Sequence, residues 1–416
     1  MLQNVTSTPS RRSLEFGIYR DGDNNLDPIQ ESVVSQALRT SASDSRIQFT
    51  VEDTTATRPG AARQAQGDTR HGLHTDQFTI SDGALGPVDS LKAHNMSDER
   101  NLSAFVATTL DNAEASGAKQ TWIDLVDHGG GDGGGLETRD GSCMTMPDIA
   151  KAISDGVALH AREHPEDAGR GVDGVVANQC LMDTMGFADA LSHANVKWLA
   201  ASPETMLAPG VPSNVAHAIA SHENEPVQMA KAIVGDVMRT KYDVGAFGGF
   251  GPAAAFDVLD LDSAKIDRAE AAIRRLNDDA AAQARDLGVR DVLREDARAI
   301  DGMVRAPLDE KNLPWHADRP AIAFYDTLAS DGRLDATVRA DARAASAAVR
   351  NLVLAHRESA HFAPFGGADY SDAAGPTIHL PTSCREIDPW ASAGVSETNN
   401  DFYRKVDQGA MTRVIA

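Results

Sequence analysis

The chain has 416 residues, which is long enough for one large domain or two moderate ones with an ample hydrophobic core. Its 61 acidic and 39 basic residues give a net charge of −22. This acidic balance argues against nucleic acid or an anionic membrane as the main partner. The same charge would favour basic substrates, or it simply confers solubility.

Hydropathy and cysteine content bear on the compartment of the protein. No apolar run approaches the ~18 residues that span a bilayer, and the first residues contain no apolar core of a secretory signal. We therefore expect a chain that is cytoplasmic or exported without a cleavable signal. Its three cysteines, Cys143, Cys180 and Cys384, are too few for a disulfide framework and too widely spaced for a zinc site of cysteine pairs. They fit a reducing compartment or a catalytic thiol.

The first half of the sequence alternates strand and helix patterns along the chain. Residues 1–12 are polar and predicted to be disordered. The predicted strands cover 13–20, 47–53, 122–126, 174–182 and 196–201, with a weaker signal at 74–80, and helices are predicted at 26–39, at 98–115, from Pro147 onward and up to Leu191. Strands that alternate with helices at this spacing are typical of an α/β fold with a parallel sheet and right-handed crossovers.

The composition changes after residue 225. Segments rich in alanine, arginine and aspartate predict helices over 227–239, 263–285 and 336–356, and a late strand is predicted near 375–380. We therefore divide the chain into a disordered segment over 1–12, an α/β core over 13–225 and a mostly helical subdomain over 226–416 that packs on the core.

Two predicted strands end at residues that carry chemistry. The strand at 122–126 leads into Asp127, His128 and a run of glycines, and the strand at 174–182 ends near Cys180. If the two strands are neighbours in a parallel sheet, His128 and Cys180 lie side by side at one edge of it. An adjacent imidazole can make a thiol nucleophilic, and the N–H groups of a glycine turn can stabilise an oxyanion. The inert alternative is a buried packing cysteine.

Four short motifs in this region resemble those of the clostripain-like cysteine peptidases. They are YRDGDNNL at 19–26, NMSD at 95–98, DHGGG at 127–131 and CLM at 180–182. The resemblance covers roughly residues 15–215. It implies a caspase-like, mainly parallel sheet flanked by helices, with the helical C-terminal subdomain added. It also implies that Cys180 is the nucleophile, that His128 is the general base and acid, and that the N–H groups of Gly129 and Cys180 form the oxyanion hole.

The resemblance also bears on substrate specificity. Relatives that cut after arginine or lysine usually carry an aspartate two residues before the cysteine, where this chain has Asn178. A neutral amide cannot form the charge-assisted pair that selects arginine, so a basic P1 preference does not follow. The resemblance implies that Ser202 and Thr205 are candidate residues of the pocket wall, and Glu204 or Asp183 could supply a replacement charge.

Two further family traits are weighed against simpler interpretations. Self-cleavage between the histidine and the cysteine would fall after Arg139 if the pocket accepts arginine, and Asn178 argues against this. The segment 21–25 resembles the start of a calcium loop, but it lacks the later glutamate of that motif, so a turn and helix cap is the preferred interpretation. No cofactor is required by the chemistry, and calcium stays an optional ligand.

The remaining histidines and the competing functions complete the prediction. Six scattered histidines form no helical i, i+4 metal pair and are predicted to be surface or packing residues: His71, His74, His94, His193, His217 and His222. The preferred function is a cysteine endopeptidase acting on peptides or proteins. The alternative is a catalytically silent binding or regulatory protein with the same fold.

Overall fold

The computed structural model describes residues 12–56, 72–91, 95–243, 249–304, 315–359, 362, 369–383, 386 and 400–415. The N-terminal segment predicted to be disordered, apart from Arg12, lies outside the described residues, as does Cys384. No helix in the described ranges is long and apolar enough to cross a membrane.

A nine-stranded sheet forms the centre of the molecule, in the order β12-β10-β7-β6-β5-β1-β2-β3-β4. Its middle, from β7 to β2, is parallel, whereas β10 and β12 on one side and β3 and β4 on the other are antiparallel. The predicted mainly parallel sheet is therefore confirmed. The strands are β1 (Leu14–Arg20), β2 (Ile47–Thr55), β3 (His74–Ser81), β4 (Ala84–Leu91), β5 (Gln120–Val126), β6 (Gly174–Asn178), β7 (Trp198–Ala201), β8 (Tyr242–Asp243), β9 (Gly249–Phe250), β10 (Ala255–Asp260), β11 (Asp318–Pro320), β12 (Val353–Glu358) and β13 (Thr377–His379).

Helices cover both faces of the sheet. On one face α3, α4 and α5 pack with the later helices α8 to α11, and on the other face α2, α6 and α7 form a second core. Successive side chains of β5 point to opposite faces of the sheet: Ile123 packs in the first core and Trp122 in the second. The helices are α1 (Asp27–Gln30), α2 (Ser32–Ser43), α3 (Glu99–Ser116), α4 (Met146–Glu163), α5 (Met185–His193), α6 (Val215–Ser221), α7 (Pro226–Arg239), α8 (Ser263–Gln283), α9 (Leu287–Arg298), α10 (Ala321–Ser330), α11 (Ala336–Arg350), α12 (Asp401–Lys405) and α13 (Gln408–Ile415).

Local sequence signals fix the ends of the helices that flank β5. The carboxylate of Asp98 caps α3 by accepting from the Arg100 N–H at 2.9 Å, and α3 stops at Gly117, whose φ of 68° favours glycine. Helix α4 starts with a capping box in which Thr145 and Asp148 satisfy each other's backbone N–H groups. These caps set where the chain enters β5 and leaves the glycine-rich loop.

Several elements of the structure differ from the prediction. Strand β4 was not predicted; it pairs with β3 across a turn at Asp82 and Gly83, which both have positive φ. The helix predicted over 336–356 ends at Arg350, and the following β12 pairs with β10. The late strand β13 forms, but it pairs with β11 in a separate two-stranded sheet.

Residues after 225 contribute strands as well as helices to this architecture. Both β10 and β12 belong to the central sheet, and β10 bonds directly to β7. Helices α8 to α11 then cover one face of it. The C-terminal part is therefore joined to the N-terminal part through the backbone of a single sheet and through a shared core.

Candidate active site

Strands β5 and β6 are parallel neighbours in the sheet. Their register pairs Val126 with Asn178, and the Asp127 N–H donates to the Asn178 carbonyl at 3.4 Å. His128 and Cys180 each follow two residues later, so they leave the same edge of the sheet. Strand β6 ends at Asn178 and not at the cysteine, because Cys180 already lies in the turn that follows.

The backbone of Gly129 approaches the backbone of Cys180 closely. A Cβ atom added at Gly129 would lie 2.3 Å from the Cys180 carbonyl oxygen and 2.8 Å from the Cβ of Gln179. Only glycine fits this contact. The Gln179 side chain strengthens it by donating from Nε2 to the His128 carbonyl at 2.8 Å. The turn after β6 is therefore held against the loop that carries the imidazole.

Asn25 orients the imidazole of His128. The Nε2 atom of His128 lies 2.8 Å from the Asn25 Oδ1 atom, which can only accept a hydrogen bond. Nε2 therefore carries the proton in the neutral ring, and Nδ1 keeps the basic lone pair. Burial lowers the pKa of His128 below its usual value, and Glu137 partly opposes this. The ring is thus neutral near pH 7.

Asn25 belongs to a polar loop that the sequence predicted only as a turn and helix cap. Asp21 N–H donates to the Val126 carbonyl at 3.2 Å, and Asn24 Nδ2 donates to Asp127 at 2.5 Å and to the Glu137 carbonyl at 2.9 Å. The loop therefore contacts the strand end that carries His128. Two adjacent asparagines, Asn24 and Asn25, in the loop that follows β1 were the sequence signal available for this role.

Cys180 is a partly buried thiol beside acidic groups. Its Sγ accepts from the Met206 N–H at 3.3 Å. Burial, followed by the nearby carboxyl groups of Glu204 and Asp127, raises the pKa of Cys180 to about 11. Within the described residues no hydrogen bond joins its Sγ atom to the imidazole of His128. The resting pair is therefore a neutral thiol and a neutral imidazole.

Two backbone N–H groups at this edge are free to bind an oxyanion. The adjacent turn uses the N–H of Gly130, bonded to Gly134 O at 2.8 Å, and that of Leu136, bonded to His128 O at 3.2 Å. The N–H groups of Gly129 and Cys180 donate to no backbone carbonyl in the described part of the chain. Donors without a partner beside a nucleophile are the arrangement that stabilises a developing negative charge.

The side chain of Asn178 is buried and engaged by a neighbouring loop. Its Oδ1 atom accepts from the Val211 N–H at 2.7 Å, and its Nδ2 atom donates to the Val211 carbonyl at 3.3 Å. The preceding Gly210 packs directly on the amide. Asn178 thus fixes the loop after β7, and both ends of its amide are already used.

The other predicted pocket residues lie on that same loop after β7. Ser202 is buried, and its hydroxyl donates to the Glu204 carbonyl at 2.8 Å; Thr205 is partly buried and its N–H donates to the Glu204 carboxylate at 2.7 Å. This loop lies beside Cys180, because the N–H of Met206, the residue after Thr205, donates to the Cys180 thiol.

The two candidate replacement acids are both occupied. The Glu204 carboxylate is buried and accepts from the Val304 N–H at 2.9 and 3.0 Å. Asp183 is buried beside Asp257, and desolvation together with this second carboxyl group raises the pKa of Asp183 well above its usual value. Asp183 is therefore held neutral. Neither group is arranged to meet a cationic side chain.

Arg139 lies in an exposed turn between the glycine-rich loop and α4. The turn is closed by Asp140, whose carboxylate accepts from the Ser142 N–H at 2.9 Å and whose pKa these hydrogen bonds lower to about 2. The guanidinium of Arg139 reaches Asp23 at 3.5 Å and is 64 % exposed. A protease could reach the peptide bond between Arg139 and Asp140 without unfolding any strand or helix.

The loop at 21–25 uses its oxygen atoms for intramolecular bonds. Asp21 Oδ1 accepts from the Asp23 N–H and Asn24 Oδ1 from the Leu26 N–H, each at 2.8 Å.

A separate buried cluster joins the glycine-rich loop to the C-terminal part of the chain, where Asp132 meets Asp318, His379 and the hydroxyl of Tyr403. Burial and Asp318 raise the pKa of Asp132 to about 7.

Comparison with known proteins identifies the fold. No protein-family model matches the chain. No curated protein matches it either. Among solved structures, it is similar to a secreted C11 cysteine protease from Bacteroides thetaiotaomicron in complex with an irreversible peptide inhibitor, with 13 % identity, a TM-score of 0.64 and coverage of 95 % of this chain and 99 % of that one. It is also similar to an inactive zymogen C11 protease from Parabacteroides distasonis, with 14 % identity, a TM-score of 0.56 and coverage of 97 % and 99 %. The chain therefore has the caspase-like fold of the C11, or clostripain-like, cysteine proteases, as its motifs predicted.

Proposed function

We propose that the protein is a cysteine endopeptidase with Cys180 as nucleophile and His128 as general base and acid. The observation that supports this most is the edge shared by β5 and β6, where a thiol, an imidazole and two free N–H groups lie together. The peptide inhibitor bound to the first solved structure named above suggests peptides or proteins as substrates.

The catalytic cycle follows from the atoms at this edge. His128 Nδ1 takes the thiol proton of Cys180 as the sulfur attacks the scissile carbonyl carbon. The N–H groups of Gly129 and Cys180 hold the oxygen as it becomes negative. The imidazolium then gives its proton to the leaving amine, and a thioester remains on Cys180. Water, deprotonated by His128, hydrolyses the thioester and restores the thiol.

The neutral resting pair has a kinetic consequence for this cycle. A thiol with a pKa of about 11 is almost entirely protonated at pH 7, so the free enzyme holds little thiolate. The proton must therefore move to His128 while substrate occupies the edge. The Cys180 thiol should therefore react slowly with small reagents. A bound peptide should promote proton transfer to His128 and so produce the reactive thiolate.

The pocket for the P1 side chain is proposed to lie at Asn178, Ser202 and Thr205. Both ends of the Asn178 amide bond Val211, and the acids nearby are neutral or already bonded. Without a free carboxylate, a buried guanidinium or ammonium would lose its hydration without compensation. We infer that the enzyme prefers a neutral P1 residue, and that it does not process itself after Arg139.

A positional P1 peptide library tests the activity and the specificity together. We expect the purified full-length chain to cut after one class of neutral residue, and Cys180→Ala to cut nothing. Cys143→Ala is the matched control, because it removes another partly buried thiol without touching this edge, and it should keep full activity. Assays with and without calcium test the optional ion.

Two results would contradict the proposal. Cleavage after arginine would show that another acid has taken the place of the missing aspartate. It should then be accompanied by a mass change from cleavage after Arg139 that Cys180→Ala lacks. No cleavage anywhere in the library, together with no labelling of Cys180 by a peptide acyloxymethyl ketone, would favour a binding or regulatory protein. The raised thiol pKa is the observation on which that second function rests.

A further inference from the structure

Two histidines one helical turn apart face two acids three residues apart on a neighbouring helix. His160 lies near the end of α4, and His164 is its C-cap residue. Asp111 and Glu114 lie on α3, which packs along α4. None of these side chains belongs to the candidate active site. With Glu166 and Asp167, which follow α4, we call these six residues the His160 cluster.

The spacing between three atoms in the His160 cluster suits a metal ion. His164 Nε2 lies 3.4 Å from Asp111 Oδ1, and His160 Nδ1 lies 2.7 Å from the same oxygen. Ligand atoms at about 2.1 Å from a tetrahedral zinc ion are roughly 3.4 Å apart. The distance from His164 Nε2 to Asp111 Oδ1 already has this value. The distance from His160 Nδ1 to the same oxygen would have to increase by about 0.7 Å.

Each imidazole turns its other nitrogen toward a second carboxylate. His164 Nδ1 lies 2.7 Å from Glu114 Oε2, and His160 Nε2 lies 3.6 Å from Asp167 Oδ2. Metal-bound histidines characteristically donate this second ring N–H to a carboxylate, which fixes the ring and makes it a better ligand. The cluster therefore has the inner ligands of a histidine metal site. The outer partner of His164 is in place, and Asp167 lies just beyond hydrogen-bond distance of His160.

The protein alone leaves part of the His160 cluster unsatisfied. The side chain of His160 is 0 % exposed, and its Nε2 atom has no hydrogen-bond partner among the described residues. Four carboxyl groups belong to the cluster, and among the described residues the guanidinium of Arg170 binds one of them, Asp167. Excess negative charge costs free energy that a bound cation would offset. With the ion on Nδ1, the Nε2 atom of His160 would keep its proton and face Asp167.

We propose that Asp111, His160 and His164 bind one divalent transition-metal ion, with zinc as the best fit. Two imidazole nitrogens and one carboxylate oxygen match the preference of zinc, whereas calcium and magnesium require mostly oxygen ligands. The two rings are stacked at 4.9 Å between centroids, so His164 turns about its side-chain bonds when the ion binds. It is 32 % exposed and has room for this rotation.

The position of the site implies a structural role. Helix α3 ends just before β5 begins at Gln120, and the chain after α4 leads to the start of β6 at Gly174. The site therefore lies at the amino-terminal edge of the sheet, opposite the edge that carries Cys180. An ion there would tie together the two helices that connect to β5 and β6, and it would stabilise the fold without entering the chemistry.

Titration of the full-length protein with zinc chloride tests the proposal. The Cys180→Ala background removes binding to the active-site thiol, and prior dialysis against a chelator removes bound metal. We expect calorimetry to show one zinc ion per chain and thermal unfolding to shift upward. Adding His164→Ala or Asp111→Asn should weaken binding on the order of 100-fold and abolish the shift. Both residues are partly exposed, so these variants should fold.

His217→Ala is the matched control, because His217 is 33 % exposed and also pairs with an aspartate, Asp44, at 3.2 Å. It should bind zinc as the parent does. The proposal is overturned if the parent binds no zinc at one ion per chain, if His164→Ala or Asp111→Asn binds as tightly as the parent, or if calcium competes equally with zinc.

Discussion

The thiol of Cys180 and the imidazole of His128 are both neutral in the free protein. Burial and two nearby carboxyl groups disfavour the thiolate form of Cys180. The Asn25 carbonyl oxygen accepts from Nε2 of His128, so the proton of the neutral ring stays on that nitrogen. We therefore expect the thiol to react slowly in the free protein. The pH dependence of simple alkylation measures this state directly.

We expect the rate of iodoacetamide labelling at Cys180 to rise about tenfold for each pH unit between pH 7 and pH 10, because only the thiolate reacts and its pKa is near 11. Peptide mass spectrometry after timed labelling separates Cys180 from the other cysteines. A rate that is already constant above pH 7 would mean that a thiolate–imidazolium pair exists in the free enzyme, against this structure.

We propose that Asn25 is a positioning residue that acts through the imidazole of His128. Asn25→Ala should lower kcat about tenfold and leave KM nearly unchanged, because loss of one hydrogen bond of about 1.4 kcal/mol lets the ring rotate. Asn25→Asp should restore part of kcat and move the acid limb of the pH–rate profile upward, since a carboxylate stabilises the imidazolium. Steady-state kinetics from pH 5 to pH 9 measures both.

A purely structural role for Asn25 would change stability and not the profile. Asn101→Ala is a suitable control, because the amide of Asn101 bonds a loop carbonyl, that of Asn95 at 2.8 Å, and makes no hydrogen bond to His128. If Asn25→Asp has the same pH–rate profile as the parent enzyme, Asn25 does not position the imidazole.

Among the elements, those that carry the site were predictable because their signals are local. The apolar runs before His128 and Cys180 are long enough to identify β5 and β6, and Asp98 and Thr145 cap helices at sequence-readable positions. Strand β12 could not be predicted in the same way. It follows an alanine-rich helix without a glycine or proline break, and it is a strand only because β10 lies beside it.

The contacts within the site were less predictable than its elements. Asn178 was placed in the substrate pocket by resemblance, but nothing in the local sequence shows that its amide bonds Val211, 33 residues later. The pairing of Asn25 with His128 spans 103 residues. Such contacts depend on how the strands are ordered in the sheet, and short-range patterns do not contain that order. The spacing of His160 and His164, one helical turn apart, is by contrast readable from the sequence.

At the scale of the whole molecule, a buried polar cluster joins the glycine-rich loop to the C-terminal part. Asp132 meets Asp318, His379 and Tyr403, and it is 2 % exposed. The pKa of Asp132 rises to about 7 through burial and Asp318, and the pKa of His379 is also raised, by its hydrogen bond to Asp318 against the effect of burial. Both groups hold a proton more tightly in the folded state than in the unfolded chain.

This arrangement predicts that the protein is more stable on the acid side of neutrality. The folded state binds more protons between about pH 4 and pH 7, so the free energy of unfolding falls as pH rises through that range. Asp132→Asn, which mimics the protonated carboxyl group, should flatten the decline by on the order of 2 kcal/mol between pH 5 and pH 8. Urea unfolding at these two pH values measures the difference.

The exposed substitution Asp401→Asn, at a side chain 66 % exposed, is the control and should leave the slope as in the parent. An Asp132→Asn slope equal to that of the parent would mean that Asp132 is ionised in the folded protein and that the cluster holds no such proton.

Because β5 and β6 are paired in parallel, the distance between His128 and Cys180 does not depend on the length of the chain that connects the two strands. Neighbouring strands are about 4.8 Å apart, and this spacing sets how far His128 lies from Cys180 whatever the connection between them contains. The exposed turn at Gly141 faces open space, so residues inserted there would extend outward. A foreign recognition module could therefore be built into the middle of this chain while the proposed dyad keeps its spacing, which makes the turn a natural point for engineering substrate choice.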